Sequence, residues 1–181
     1  MIKKIFFIPT IVCVVGPSGC GKTTMARFIE KAMGIPMLVS YTTRPKREGE
    51  IEGVDHHFVT EAEMPPQDQM LAYTNFGGYH YWMPFTEIPY EDVGFCTYVI
   101  DEKGLQVLKE KFSKEFSIVS VLIKRDRKAL EQQVGADRVK RDLERISIPE
   151  EDYDVVIEND GRIEDFLAES LHTYNKLLGF E

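Results

Sequence analysis

Two spacings of apolar residues alternate along this chain. Ile11 to Val15 is a continuous apolar run that reads as a strand buried on both faces, and it stops at a glycine-rich turn. Met25, Phe28, Ile29, Ala32 and Met33 then recur at helical spacing, so a helix opens near Lys22 and stops at Gly34, with Pro36 beyond. Met37 to Ser40 predicts a short strand. From Tyr41 to about Asp92 the chain is rich in Gly, Pro, aromatics and charge, and Tyr73 to Trp82 reads as a hairpin. The two spacings then resume. Phe95 to Ile100 predicts a strand, Glu102 to Phe112 a helix with Leu105, Leu108 and Phe112 inward, and Phe116 to Ile123 a strand. Lys124 to Arg145 is charged and helical, and Tyr153 to Ile157 is a final strand. A last helix carries Ile163, Phe166, Leu167, Leu171, Tyr174 and Leu178 on one face, with Asp160 as N-cap and Gly179 at its end. The pattern predicts an α/β fold: a mostly parallel sheet with helices on both faces, and a site beyond the strands' C-terminal ends.

The turn after the first strand fits G-x-x-x-x-G-K-[ST] at every fixed position, as Gly16-Pro17-Ser18-Gly19-Cys20-Gly21-Lys22-Thr23, with Thr24 following. Glycines let successive N–H groups point at a phosphate, and the helix N-terminus adds the positive end of its dipole. Lys22 can charge-pair with β- and γ-phosphates, and the Thr23 hydroxyl suits Mg²⁺. A chance strand-to-helix turn is the bland alternative, and the strand before and helix after argue against it. The pattern predicts a nucleoside triphosphate site.

At 181 residues the chain holds one core, and its composition is ordinary globular: 43% hydrophobic, 29% charged. A net charge of −8 argues against general adhesion to nucleic acid or membranes. No apolar run approaches the ~20 residues of a membrane helix. Met1 to Pro9 has a charged and an apolar part but no small-residue cleavage site, and it runs straight into the phosphate-binding strand; a cytoplasmic protein is expected. Cys13, Cys20 and Cys96 form no C-x-x-C pair. Cys13 and Cys96 read as core residues. Cys20 is either a tolerated small residue or, close to a helix N-terminus, a redox-sensitive thiol. The four histidines show no metal-ligand spacing.

A second cluster of basic and polar residues runs from Ser40 to Phe58: Ser-Tyr-Thr-Thr-Arg-Pro-Lys-Arg-Glu-Gly-Glu-Ile-Glu-Gly-Val-Asp-His-His-Phe. Taken with the phosphate loop, this stretch resembles the guanylate kinases, and the resemblance continues in Asp101-Glu102-Lys103-Gly104 and in Tyr153 to Asp160. It implies a three-layer P-loop kinase fold. A core of 1–40, 93–123 and 149–181 would carry an acceptor-binding subdomain at 41–92 and a short lid at 124–148. The implied reaction is phosphoryl transfer from ATP to a nucleoside monophosphate, GMP first, with Mg²⁺ as cofactor and small-molecule nucleotides as partners, in a monomer or homodimer. By carry-over, Ser40, Arg44 and Arg47 hold the acceptor's phosphate. Paired guanidinium forks suit that task, although a solvated charged loop balanced by Glu48, Glu50 and Glu52 is the alternative. His56 stands where the family keeps a tyrosine and can donate a hydrogen bond or carry charge. Tyr81 falls in the run that reads the acceptor. Asp101, ending a strand, suits the metal's neighbourhood or the N-cap of the next helix.

Lys124 to Arg145 holds eight Lys and Arg against five acids. It coincides with the family's lid but lacks the Gly-Arg-Gly turn, reading Gly135-Ala136-Asp137. Arg138 and Arg141, three apart, are the lid candidates, with a solvated helix face as the alternative. The family's guanine-reading Glu and hydroxyl positions align with Ala72 and Met83, and His80-Tyr81-Trp82 replaces Tyr-Tyr-Gly. Thr74, Asn75 or Asp68 could take over the reading. Otherwise Trp82 and Met83 line a pocket for another base, or fill its space and leave room for a smaller acceptor such as a ribosyl bisphosphate. A binding module that has lost catalysis is the reading from another class, and the intact Lys22 and Thr23 speak against it.

Overall fold

A computed structural model describes residues 8–88, 94–143 and 148–180, apart from the side chains of residues 138, 141 and 143. The expected N-terminal segment Met1 to Phe7 lies outside the described residues. In chain order the elements are β1 (Thr10–Val15), α1 (Lys22–Met33), β2 (Met37–Leu38), β3 (Tyr41–Thr42), β4 (His57–Phe58), β5 (Met70–Phe76) and β6 (Tyr79–Pro84). They continue with β7 (Phe95–Val99), α2 (Glu102–Phe112), β8 (Ser117–Lys124), α3 (Arg127–Val134), α4 (Ala136–Leu143), β9 (Val155–Glu158) and α5 (Ile163–Leu177).

A five-stranded sheet in the order β2-β7-β1-β8-β9 is parallel throughout. Its central strand is apolar at every step because both faces are covered. Ile11, Cys13 and Val15 pack with Leu105 and Leu108 of α2, while Val12 and Val14 pack with Met25 and Ile29 of α1 and Phe166 and Tyr174 of α5. This is the three-layer P-loop kinase architecture. The chain leaves β1 towards β2 and β7 on one side and β8 and β9 on the other, so the sheet reverses its winding at β1. A crevice opens there, beyond the carboxyl ends of the strands.

The strand expected over Met37–Ser40 is split. It leaves the main sheet after Leu38, and Tyr41–Thr42 joins a second sheet of order β4-β3-β6-β5. In that sheet β5 and β6 form the expected hairpin, turned by Gly77 and Gly78 at φ +60° and +81°, the geometry only glycine adopts freely at both positions. Pairing slips between Leu71↔Met83 and Thr74↔Tyr81, so Ala72 and Tyr73 together oppose Trp82, and Ala72 takes a φ of +53°.

Three expectations are corrected. The stretch from 124 to 145 is not one helical run: Lys124 ends β8, and Gly135 at φ +85° separates α3 from α4. Asp160 does not cap α5; Arg162 holds the cap position, and Asp160 Oδ1 accepts the Asp126 N–H at 2.6 Å. Ile163 stays out of the core, 48% exposed and bordering the cavity of about 530 Å³ over the glycine-rich turn, because the buried stripe of α5 runs through Phe166, Ser170, Thr173 and Tyr174.

Candidate active site

The glycine-rich turn follows β1 directly, and close approach dictates its glycines. A Cβ on Gly16 (φ +145°) would run into the Ile123 carbonyl oxygen of β8, and one on Gly21 (φ +109°) would lie 2.7 Å from Asn159 Nδ2. Two side chains from the ends of neighbouring strands hold the turn's carbonyls. Asn159, after β9, donates to Cys20 O at 2.8 Å, and Arg125, after β8, donates through Nη1 to Gly19 O at 3.1 Å. Lys22 Nζ donates to Gly16 O at 2.7 Å and Pro17 O at 2.8 Å. The Ser18 N–H donates to Asp142 Oδ2 of α4 at 2.6 Å, so an oxyanion sits on the loop's amide.

A cavity of about 530 Å³ lies over this turn. Ser18, Gly19, Gly21, Lys22, Thr23 and Thr24 line it, as does Asp101, which also caps α2 by accepting the Gly104 N–H at 2.7 Å. Both roles weighed for Asp101 are therefore geometrically open to one carboxylate. Gly16 and Cys20 lie outside the cavity lining, and Pro17 borders a smaller cavity of about 290 Å³. Burial pushes the Cys20 thiol above its ordinary range, outweighing the nearby Lys22 charge, which removes the basis for redox sensitivity. All three cysteines are buried. The native protein should therefore take up less than about 0.1 equivalent of a thiol-reactive dye until denaturant unfolds it; rapid labelling of one thiol would contradict this burial.

The same cavity takes in Ser40, Arg44, Arg47, His56 and Tyr81. The crossing of the chain between the two sheets puts Ser40 there, and its Oγ bonds His56 Nδ1 at 2.8 Å. Arg44 is 6% exposed, bidentate to Glu50 at 2.9 and 2.8 Å, and lies over the Phe58 ring at 5.5 Å. Glu50 also accepts the Arg47 N–H at 2.7 Å, so one carboxylate meets both residues: Arg44 is buried out of any solvated loop, whereas the Arg47 side chain is exposed. Burial disfavours the Arg44 charge, but the Glu50 bonds outweigh it and its pKa lies above the ordinary value. Burial, with Arg44 adding to it, holds His56 below the usual imidazole range. His56 therefore acts as a neutral hydrogen-bonding group at pH 7 and not as a further charge.

At the hairpin end, Ala72 and Thr74 line the cavity, whereas Trp82 and Met83 do not. Trp82 turns to the other face of its strand and stacks on Tyr41 with centroids 5.8 Å apart; Met83 is sealed in the core with Leu71 and Leu105. Neither fills the cavity. Of the three substitutes considered, only Thr74 reaches the cavity, with a side chain buried there; Asn75 and Asp68 are exposed. Arg138 and Arg141 belong to α4, and their side chains lie outside the described residues. The sequence alone does not distinguish Arg125 or Asp142, and it offers Asn159 only as part of the Tyr153–Asp160 run. Arg125 was one basic residue among eight, and nothing local distinguished Asp142.

A glycine-rich loop between a parallel strand and a helix, with two arginines on the same cavity, defines a P-loop protein. The guanylate kinase family's sequence model matches residues 9–174, and the chain belongs to that family. A guanylate kinase of Prochlorococcus marinus is 32% identical over 130 residues, 68% of this chain and 70% of that protein. One of Nitrobacter winogradskyi is 39% identical over 116 residues, 59% of this chain and 51% of that protein. The chain spans about half the length of several curated relatives it matches. A crystal structure of guanylate kinase from Anaplasma phagocytophilum superposes with a TM-score of 0.72 at 26% identity, covering 96% of this chain and 86% of that one. No helix among the described residues is long and apolar enough to cross a membrane.

Proposed function

We propose that the chain transfers the γ-phosphoryl group of ATP to a nucleoside monophosphate, with GMP the leading acceptor and a relaxed choice of base. The observation that carries this reading is that the glycine-rich loop and the Arg44–Arg47 pair line one cavity of about 530 Å³. Lys22 would meet the transferring phosphate, Arg44 and Arg47 would hold the acceptor's phosphate, and Ser40, His56 and Tyr81 would complete that clamp. Catalysis is then positioning and charge neutralisation without a covalent intermediate. The Thr23 hydroxyl and the Asp101 carboxylate are oxygen donors on the same cavity, a set that fits Mg²⁺; the ion would neutralise phosphate charge there. Arg138 and Arg141 remain the lid residues proposed to close over the triphosphate.

If Asp142 stands where a donor phosphate oxygen belongs, removing its charge should favour ATP. Asp142→Ala is expected to tighten ATP about three- to tenfold in a binding titration, and unchanged or weaker binding would contradict that placement.

The base reading rests on Thr74 and Ala72. A carboxylate can only accept hydrogen bonds, which suits guanine's N1–H and N2–H; a hydroxyl donates or accepts and so serves adenine as well. Each lost acceptor is worth about 1–3 kcal/mol, or roughly ten- to a hundredfold in preference. Coupled ADP release with GMP, AMP, CMP, UMP and a ribosyl bisphosphate tests the reading. GMP should lead AMP by less than about a hundredfold, and Thr74→Val should narrow that lead further. Exclusive GMP turnover would restore strict guanine choice, ribosyl bisphosphate turnover would reassign the acceptor, and ATP binding without turnover would mark a binding module.

A further inference from the structure

We propose that Arg125 is a second cation of the donor site, meeting the triphosphate's oxygens beside Lys22; this rests on the donor-site reading above. Arg125 leaves β8 at its carboxyl end, next to the strand that carries the glycine-rich loop. It borders both the 530 Å³ cavity and the 290 Å³ cavity beside it. Nη1 makes its two hydrogen bonds, to Gly19 O at 3.1 Å and to Gln133 Oε1 at 2.7 Å, which fix the planar fork on the loop. Nε is buried and has no hydrogen-bond partner among the described residues.

An arginine needed only to hold one carbonyl would not require a guanidinium with a buried donor left over. A buried unmade donor is a standing cost, and a triphosphate oxygen that draws the guanidinium towards the cavity would replace it with a charge-assisted bond. The charge balance points the same way. Around the cavity Arg44 and Arg47 are matched by Glu50, and Asp55 pairs with Arg27. Lys22 and Arg125 stand at the loop, where Asp101 and Asp142 are the acids. Asp101 is engaged in capping α2, and a triphosphate that displaced Asp142 from the Ser18 N–H would meet two cations instead of one. The guanidinium also comes from a strand end, a rigid element, and so is in place before any lid movement.

Arg125→Gln keeps an amide donor for Gly19 O and removes the charge. Titrated with MgATP, this variant should bind about ten- to a hundredfold more weakly than wild type, while its affinity for GMP stays within about twofold. Arg125→Lys should recover part of the loss. In single-turnover transfer, Arg125→Gln should also lose on the order of a hundredfold in kcat/KM for ATP. MgATP binding within threefold of wild type, or equal weakening for MgATP and GMP, overturns the assignment; the second result would leave Arg125 as a support for the loop only. A wild-type protein that binds MgATP yet phosphorylates no monophosphate overturns the proposed reaction while the MgATP titration still decides Arg125. A wild type that binds no MgATP overturns both.

Discussion

Lys22→Met is expected to abolish phosphoryl transfer in a protein that remains folded. The Lys22 ammonium lies in the cavity, bonded to the carbonyls of Gly16 and Pro17, and its stem does not belong to either buried cluster. Methionine keeps the length and apolar stem, so the cost to stability is limited to a few part-buried polar contacts of Nζ, about 1–3 kcal/mol. The cost to catalysis is far larger. A fixed charge that meets phosphate only inside a partly dry site is worth on the order of 10³-fold or more in turnover. The pair of measurements is thermal unfolding and coupled ADP release with GMP and AMP. Loss of activity accompanied by collapse of the unfolding transition would make Lys22 structural, and more than about a tenth of wild-type turnover would refute the phosphate-loop assignment.

The elements that could be read from sequence are those with a local physical signal. β1 is legible because burial on both faces forces an unbroken apolar run, and the turn after it because Gly16 and Gly21 sit where no Cβ fits. The hairpin announces itself through Gly77-Gly78. What was not legible depends on contacts distant in sequence. Alignment with the family puts Met83 at the guanine-reading hydroxyl position, but the bulge at Ala72–Tyr73 adds a residue to β5, and Met83 goes into the core while Thr74 faces the cavity. Alanine carries no signal for a φ of +53°, so the bulge itself was hidden. The bulge also qualifies an obvious repair. Ala72→Glu would put a longer side chain at a left-handed position, and Met83→Ser would bury a hydroxyl against Leu71 and Leu105, away from the cavity lining. Arg125 and Asn159, 106 and 139 residues from the carbonyls they hold, become functional candidates only once β8 and β9 are seen beside β1. The neutrality of His56 likewise follows from burial and the Arg44 charge, neither of which the His-His pair declares.

At Arg44 stability and the proposed acceptor binding are entangled, and the two can be separated. Arg44→Ala removes one side of an ion pair whose side chains are 7% and 17% exposed, leaving Glu50 with the Arg47 N–H and a distant Arg47 guanidinium at 3.9 Å. Breaking such a pair from one side costs about 3 kcal/mol, because the remaining carboxylate stays partly buried. Arg44→Ala with Glu50→Ala removes both charges and should recover a large part of that loss, on the order of 1–2 kcal/mol. Acceptor use should not recover. The double variant still lacks the guanidinium proposed to hold the monophosphate, so GMP binding should fall about a hundredfold or more in both variants, with ATP affinity within about threefold of wild type. The pH dependence supplies an independent check. Glu50 is held below its ordinary value of 4.5: burial opposes this, and the bonds from Arg44 and the Arg47 N–H outweigh burial. A carboxyl with a depressed folded pKa contributes its full stability above the unfolded value, and that contribution is lost as the pH falls through the folded one. Wild type should therefore lose stability below about pH 4.5 more steeply than the double variant, in denaturant melts followed from pH 7 to pH 3. Parallel curves for the two proteins, or a double variant that regains GMP binding along with stability, would show that Arg44 supports the fold and does not hold the acceptor.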